Sequence, residues 1–278
     1  MLPSLVGSTC ESSFNLAVNI AGWGYARLRA DEFASLRRSL PTWAVAGTPL
    51  HFFKHADQQT MLAVHAVDNA IQRHGFDPRT HEAFGVIAAP RFLGRTAAAA
   101  VVRRYVKDGA QGVTPHIISQ HSLHSVSGAI SVLLGCKGPN LGVGGGPRAL
   151  DDALLTQLTL FSTADFPGVW LVGTAWDPEP IVDREGNCLN EPECFAFALA
   201  VQSTAASDQP VHGTLRLRSS PQAPDAVTAP EHTAADFVRQ MQAADLRQTA
   251  LQMSWPLAWG PQLEIELTHP VAVLSKVA

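Results

Sequence analysis

The sequence is poor in charged residues. Only 16% of its 278 residues are Asp, Glu, Lys or Arg, whereas about 25% is typical of globular domains. Because charge is depleted at the centres of protein interfaces, this composition fits a chain that buries a large contact with a partner. A thick core in a compact α/β protein explains it equally well, so composition alone leaves both readings open.

Features of several binding and targeting classes are also absent. Net charge is −4 and no basic stripe is present, which argues against a nucleic-acid partner. No Lys/Arg cluster accompanies an amphipathic helix, and no apolar run approaches the ~18–20 residues of a membrane-spanning helix. The N-terminus lacks the basic and apolar regions of a signal peptide. We therefore expect a soluble, cytoplasmic protein without a membrane partner.

Cysteine and histidine spacings indicate neither disulfides nor metal. The four cysteines are Cys10, Cys136, Cys188 and Cys194. None forms a C-x-x-C pair, which predicts free thiols. His121 and His124 lie three apart, but no third ligand follows at helical spacing, so we predict no metal site and no cofactor.

Strands and helices alternate along the first 175 residues, which predicts a layered α/β domain. Strands are predicted over 14–21, 84–89, 168–174, 194–202, 212–217 and 262–267, and helices over 31–40, 58–74, 95–107, 147–161 and 233–244. Composition shifts near Ser203, where exposed loops are predicted over 203–209 and 219–231. We therefore divide the chain into residues 1–202 and a shorter C-terminal part, residues 203–278.

A glycine-rich segment, Gly142-Val-Gly-Gly-Gly-Pro-Arg, precedes the predicted helix over 147–161. It fails the dinucleotide pattern because Pro147 stands where the last glycine belongs, and it fails the phosphate-loop pattern because no G-K-[ST] follows. Glycines allow a strand to lie close to another backbone, and proline suits the first position of a helix. The segment is therefore predicted to be a strand, a sharp elbow and a helix.

An elbow of this kind is where several enzyme families place a nucleophile, yet Pro147 has neither a reactive side chain nor a backbone N–H. Two other nucleophiles remain open. Cys136 precedes Lys137, whose charge could lower a thiol pKa, although a buried inert cysteine is the competing interpretation. Ser125 or Ser127 could act with His124, although that histidine also suits a cap or an interface.

The segments SVSGAISVLLG, CKGPN and LGVGGG, with the helix that follows, resemble the N-terminal half of β-ketoacyl synthases, condensing enzymes of the thiolase fold. Alignment on Gly138-Pro139-Asn140 places Pro147 at the position of the family's nucleophilic cysteine. FGVIAAPRF, VWLVGTAWDPEP and NEPECFAFALAVQ extend the resemblance over residues 14–202. The resemblance implies a thiolase-like α/β/α layered fold with a mixed sheet, consisting of the ketosynthase N-terminal half and a truncated C-terminal part.

Departures from the family pattern bear on function. The family's two C-terminal catalytic motifs are missing from residues 203–278, and His212-Gly213-Thr214 matches one of them in three letters but falls too early. Without nucleophile, base or oxyanion partner, no acyl-enzyme forms by the usual route. The resemblance therefore implies the non-catalytic branch, the chain length factors of type II polyketide and fatty-acid-like systems, including those for aryl polyenes.

Such a subunit is a pseudo-enzyme that pairs with an active ketosynthase and shapes its acyl tunnel, with acyl carrier protein reached through the partner. In family dimers the strand before the elbow pairs with its mate across the two-fold. The resemblance assigns to this interface Asn140, Leu141, Gly142, Val143, Gly144 and Gly145, and to the partner's tunnel Gln120, His121, His124 and Ser127. Two alternatives remain: a thiolase-fold acyltransferase with a relocated nucleophile, and a scaffold or ligand-binding protein that retains the fold.

Overall fold

The computed structural model describes residues 15–163, 167–184, 188–204, 210–218, 231–257 and 261–268. Phe14, Cys10 and the remainder of the N-terminal segment lie outside these ranges, as do most residues of the two predicted loops.

One mixed sheet of eight strands organises the fold. The strands are β1 Asn15–Arg29, β2 Gly85–Pro90, β3 Asn140–Gly142, β4 Gly168–Asp177, β5 Glu193–Gln202, β6 Gly213–Arg218, β7 Leu251–Pro256 and β8 Gln262–Leu267. Their spatial order is β3-β2-β4-β5-β1-β6-β8-β7. Strands β3, β2 and β4 are parallel, and every other neighbouring pair is antiparallel.

Helices cover the sheet in two layers. The helices are α1 Phe33–Leu36, α2 Gln58–His74, α3 Arg95–Asp108, α4 His116–His121, α5 His124–Leu134, α6 Ala149–Thr163 and α7 Ala234–Arg247, with 3₁₀ turns at Pro78–His81 and Gly109–Gly112. Helices α2 and α5 share one apolar cluster with one face of the sheet, and α6 and α7 share another with the opposite face. The α/β/α layering and the mixed sheet predicted from the sequence are confirmed.

Helix α2 has the bounds predicted from its sequence, because its ends are fixed locally. The carboxylate of Asp57 accepts a hydrogen bond from the Gln59 N–H, and Gly75 ends the helix in the left-handed conformation. The helix crosses directly over β1: a Cβ added at Gly24 would lie 2.3 Å from the backbone nitrogen of Ala70. Strand β1 is 15 residues long, so Gly22, which follows the strand predicted over 14–21, lies inside it.

The C-terminal residues extend the same sheet. Strand β6 pairs with β1, and β8 joins β6 to β7. Helix α7 begins with a capping box between Thr233 and Asp236. Strand β7 was not predicted. The proposed division at residue 202 falls between β5 and β6, which pair with opposite edges of β1.

Apart from α2, the predicted helices differ in their bounds; α3 ends one residue later and α7 three residues later than predicted. The helix expected over 31–40 is reduced to the four residues of α1, whose N-cap is Glu32. Helix α6 begins at Ala149, two residues after the predicted start, because Pro147 and Arg148 form a turn before it. Among the described residues, no helix combines the length and hydropathy that a bilayer crossing requires.

Candidate functional site

The elbow follows an edge strand. The Val86 N–H donates to the Pro139 carbonyl at 2.7 Å, and the Val143 N–H donates to the Ala88 carbonyl at 2.8 Å. Because hydrogen-bonding direction alternates along a strand, the backbone groups of Asn140 and Gly142 point away from β2. In the part of the chain that the structure describes, β3 pairs only with β2.

Glycine is required where β3 and the elbow meet the start of α5. A Cβ added at Gly142 would lie 2.2 Å from the carbonyl oxygen of Leu123. Gly144 and Gly145 have φ angles of +76° and +95°, in the region that side chains disfavour. The glycines therefore allow close backbone packing and a sharp reversal of the chain direction, as predicted from the sequence.

The inner side of the elbow is filled. The Phe92 N–H donates to the Gly145 carbonyl at 3.0 Å, and the Leu123 side chain lies against Gly145. Phe92 itself has a φ of +52°, which is uncommon for a bulky residue and is held here by the surrounding packing. The segment after β2 and the elbow are thus tied together.

Pro147 is exposed and lies in the turn between Gly146 and α6. It supplies no side-chain nucleophile and no backbone N–H for an oxyanion. The first turn of α6 carries Asp151, which is buried, and Asp152. These carboxylates offset the positive end of the helix dipole, which further disfavours a developing oxyanion at this position.

Cys136, the first alternative nucleophile, is not activated. Its thiol donates to the His81 carbonyl at 3.5 Å, and burial raises its pKa to about 12. The Lys137 ammonium, which could have lowered that pKa, forms an ion pair with Glu82. The thiol is therefore protonated at neutral pH, and a protonated thiol is a poor nucleophile.

The serine alternative is also poorly placed. Ser125 donates to the Ser119 carbonyl at 3.0 Å, and Ser127 donates to the His124 carbonyl at 3.2 Å. The Ser127 hydroxyl lies 3.4 Å from Nδ1 of His124, a weak contact within one helix. Ser127 is fully buried, so a substrate cannot reach its hydroxyl without movement of α5.

The four residues predicted to face the partner's tunnel have different surroundings. Gln120 and His121 end α4, and His124 and Ser127 lie in the first turn of α5. Nδ1 of His121 lies 3.3 Å from the carboxylate of Asp57 at the start of α2. Ser127 is buried and His121 contacts Asp57, which leaves Gln120 and His124 to face a partner. Their role in a tunnel stays a prediction.

A buried polar relay near the elbow was not predicted. Thr174 on β4 donates to the Gln59 side-chain oxygen at 2.6 Å, and the Gln59 amide donates to the Arg91 carbonyl at 3.1 Å. The Arg91 N–H donates to the Thr174 carbonyl at 2.8 Å, which closes the relay and fixes the turn that leads to Phe92. The sequence signal that was available is Gln59 itself, a polar residue on the apolar face of α2. Because buried polar groups need hydrogen-bond partners, its position could have predicted such a contact.

Arg91 also pairs with two carboxylates close to the elbow. Its guanidinium lies 3.5 Å from Glu179 and 3.0 Å from Glu231. Burial raises the pKa of Glu179, and the charge of Arg91 opposes that shift. Among the described residues, no three His, Cys, Asp or Glu side chains are grouped closely enough to hold a metal ion.

Residues 44–145 match the family model described as "Beta-ketoacyl synthase, N-terminal domain". The match contains α2, β2, α3, α5 and β3, and it ends two residues before Pro147. A search of curated proteins finds no match. The matched segment is less than half of the chain, and it contains SVSGAISVLLG, CKGPN and all but the last residue of LGVGGG.

Solved structures extend the likeness over most of the chain. A ketosynthase (ApeO) in complex with its chain length factor (ApeC) from Xenorhabdus doucetiae matches with a TM-score of 0.53 at 15% identity, covering 90% of this chain and 99% of that one. A β-ketoacyl synthase from Burkholderia phymatum STM815 gives 0.51 at 16%, covering 77% and 67%.

A third structure is a type II polyketide acyl carrier protein in complex with its ketosynthase, AntDE:AntF. It gives a TM-score of 0.56 at 10% identity, covering 92% of this chain and all of that one. At these identities the likeness concerns the fold. The chain is β-ketoacyl synthase-like and has the thiolase-like fold expected from its sequence.

Proposed function

We propose that this β-ketoacyl synthase-like chain is a non-catalytic subunit of the chain length factor type. It pairs with an active ketosynthase, contributes to the wall of its acyl tunnel, and leaves the chemistry to that partner. The pair works in the cytoplasm on chains carried by an acyl carrier protein, in a type II polyketide or fatty-acid-like pathway, of which aryl polyene synthesis is one.

The elbow carries this proposal. It retains the edge strand, the two left-handed glycines and the following helix, yet the residue displayed is Pro147. Condensation by this fold needs a nucleophile at that position and donors for an oxyanion. The alternative nucleophiles offer no replacement, because Cys136 is held as a thiol and Ser127 is buried.

Strand β3 supports the choice of a dimer interface. Its outward backbone groups, at Asn140 and Gly142, have no strand to pair with in the described chain, and unpaired edges are templates for another chain.

The structural neighbours favour the same kind of assembly. The Xenorhabdus structure contains a ketosynthase with a chain length factor, and AntDE:AntF contains a ketosynthase with an acyl carrier protein. Carried over to this chain, these complexes indicate a ketosynthase as the direct partner and acyl carrier protein as a partner of the pair.

Co-expression with a ketosynthase encoded beside this chain tests the pairing. We expect a stable heterodimer, and a ketosynthase that is inactive or short in product without this subunit. Asn140→Pro removes an outward N–H while leaving the bonds from β3 to β2, so it should weaken the complex about tenfold or more. Failure to co-purify, with a ketosynthase that is active alone, would reject the proposal.

A matched proline control separates pairing from folding. Ala46 is the second residue of a turn closed by the Thr48 N–H and the Val45 carbonyl at 3.1 Å, where proline is well accepted. Ala46→Pro should leave complex formation unchanged. If Asn140→Pro binds as tightly as Ala46→Pro, the heterodimer does not form through β3.

Intact-mass spectrometry tests the absence of catalysis. The purified chain, incubated with acyl-CoA and with acyl carrier protein thioester, should acquire no acyl adduct, whereas the ketosynthase should be labelled. An adduct mapped to Cys136, Ser125 or Ser127 would instead establish the acyltransferase with a relocated nucleophile.

A further inference from the structure

A cavity of about 510 Å³ opens beside the start of α2. One wall is the face of α3 that carries Ala97 and Ala100, and a second is the segment that follows β4. Trp176, nearly buried, belongs to the same lining. The volume falls in the range of small-molecule pockets, which are concave and mostly apolar with a few polar groups. Pro147 and β3 do not line it.

Three cations line this cavity, and none has an acidic partner among the described residues. Lys54 and Arg103 line it, and neither forms an ion pair with a described residue. Arg103 makes one long hydrogen bond, 3.4 Å, from Nη1 to the Asp183 carbonyl, and its other donors have no partner among the described residues. Arg37 also lines the cavity, but its Nη1 donates to the backbone carbonyls of Phe53, Lys54 and Ala56, in the loop before α2, at 3.1–3.3 Å.

Asp57 is the one carboxylate among the described residues that line the cavity. It is only 8% exposed. Its carboxylate accepts from the Gln59 N–H at 2.8 Å and lies 3.3 Å from Nδ1 of His121. Among the described residues, Lys54, Arg103 and Arg37 outweigh this single charge by two units, so the cavity is positively charged and favours an anion.

We propose that this cavity binds a small amphipathic carboxylate. The ligand carboxylate pairs with Lys54 and Arg103, the latter through the planar fork that matches a carboxylate. The apolar body lies along Ala97 and Ala100 towards Trp176. Such binding is independent of the heterodimer, because every group that carries it belongs to this chain.

Octanoate is the probe, with octanamide as its neutral counterpart of equal length. In titrations of the full chain followed by calorimetry, octanoate should bind at least tenfold more tightly than octanamide, because only the carboxylate forms charge-assisted hydrogen bonds with Lys54 and Arg103. Equal binding of octanoate and octanamide would overturn the proposal.

Variants locate the site. Arg103→Gln and Lys54→Gln should each weaken octanoate binding about tenfold without changing the binding of octanamide. Lys107→Gln, on the same helix but outside the cavity, should change neither. Ala100→Trp should abolish binding of both probes by filling the space. Unchanged octanoate affinity in Arg103→Gln and Lys54→Gln would contradict the assignment, even if Ala100→Trp failed to fold.

A footprint provides a readout that does not depend on affinity. Cys188 is exposed and lines the cavity, whereas Cys136 and Cys194 have pKa values raised by burial. Alkylation of Cys188 by iodoacetamide, followed by peptide mass spectrometry, should slow several-fold with saturating octanoate and stay unchanged with octanamide at the same concentration. No protection by octanoate would place its binding elsewhere and reject the site.

Discussion

The two ends of the sheet are covered differently. At the parallel end, β2 is buried along its whole length and β4 along all but its last residue, with helices over both faces. At the other end, β6 and β7 alternate buried and exposed residues, and α7 covers one face only. The exposed face there is polar, with Arg218 paired to Glu264 across the strands.

This difference bears on where a partner can attach. The C-terminal end has a solvated face of its own, as antiparallel sheets commonly do. The parallel end has none, and its boundary is the three-residue edge of β3, with the elbow beside it. A partner that binds at the parallel end therefore has to pair with the edge of β3, which is the contact proposed for the ketosynthase.

The largest effect is expected from emptying the core under the C-terminal strands. Phe237 of α7 is 1% exposed and meets Phe197 edge to face at a centroid distance of 4.5 Å. Phe237→Ala should lower the free energy of unfolding by about 3–5 kcal/mol, as measured by urea denaturation. Leu246→Ala, at a position on the same helix that is 87% exposed, should be near neutral. A loss below about 1 kcal/mol for Phe237→Ala would mean that α7 is not integral to the core.

A smaller effect is expected from crowding the elbow end. Gly142→Val places a side chain against the Leu123 carbonyl, and overpacking of this kind costs about 1–3 kcal/mol. Gly146→Ala is the control, because a Cβ added there meets no atom within 4 Å. The same urea measurement should separate the two variants. Equal stabilities would mean that β3 does not pack tightly against the start of α5.

The effects that are confined to acidic pH come last, and they compare one histidine from each end. His81 is fully buried between Phe84 and Trp170, and neither ring nitrogen has a partner among the described residues. Burial lowers its pKa to about 4. At the C-terminal end, His232 stacks on Trp255, and burial lowers its pKa as well.

The unfolded state binds protons more readily than the folded state wherever a histidine pKa is depressed on folding. Stability from His81 is therefore present above about pH 6.5 and is lost as pH falls towards 4. His81→Phe should flatten the decline of the urea midpoint over this window, and His232→Phe should do so less because that ring is less enclosed. An unchanged slope in His81→Phe would show that the imidazole becomes protonated in the folded state.

What the sequence could predict depended on how local each determinant was. The bounds of α2 were predicted from an apolar stripe at helical spacing and from Gly75, which are neighbours in the chain. The glycine elbow followed from its own residues and from the family resemblance. The full length of β1 did not, because Gly24 is explained by contact with α2 and Gly22 by contact with Phe76, which follows that helix. Strand β7 is defined by its pairing with β8.

The candidate site shows the same limit. That Pro147 offers no chemistry is evident from its residue type. That Ser127 is buried and that His121 contacts Asp57, 64 positions earlier, follows from tertiary packing. The cavity brings Lys54 and Arg103 together from separate elements, and no spacing in the sequence indicates that they share a lining.

The pairing of β1 has a consequence for biosynthesis. The first strand of the chain finds its two neighbours, β5 and β6, only roughly 180–200 residues later, and such long-range pairing slows folding. At a synthesis rate of about 5–20 residues per second, β1 waits on the order of 10–40 seconds on the ribosome before either neighbour emerges. Throughout that interval the apolar strand is open to misassociation, so we expect the yield of folded protein in a foreign host to depend on chaperone supply and on translation speed.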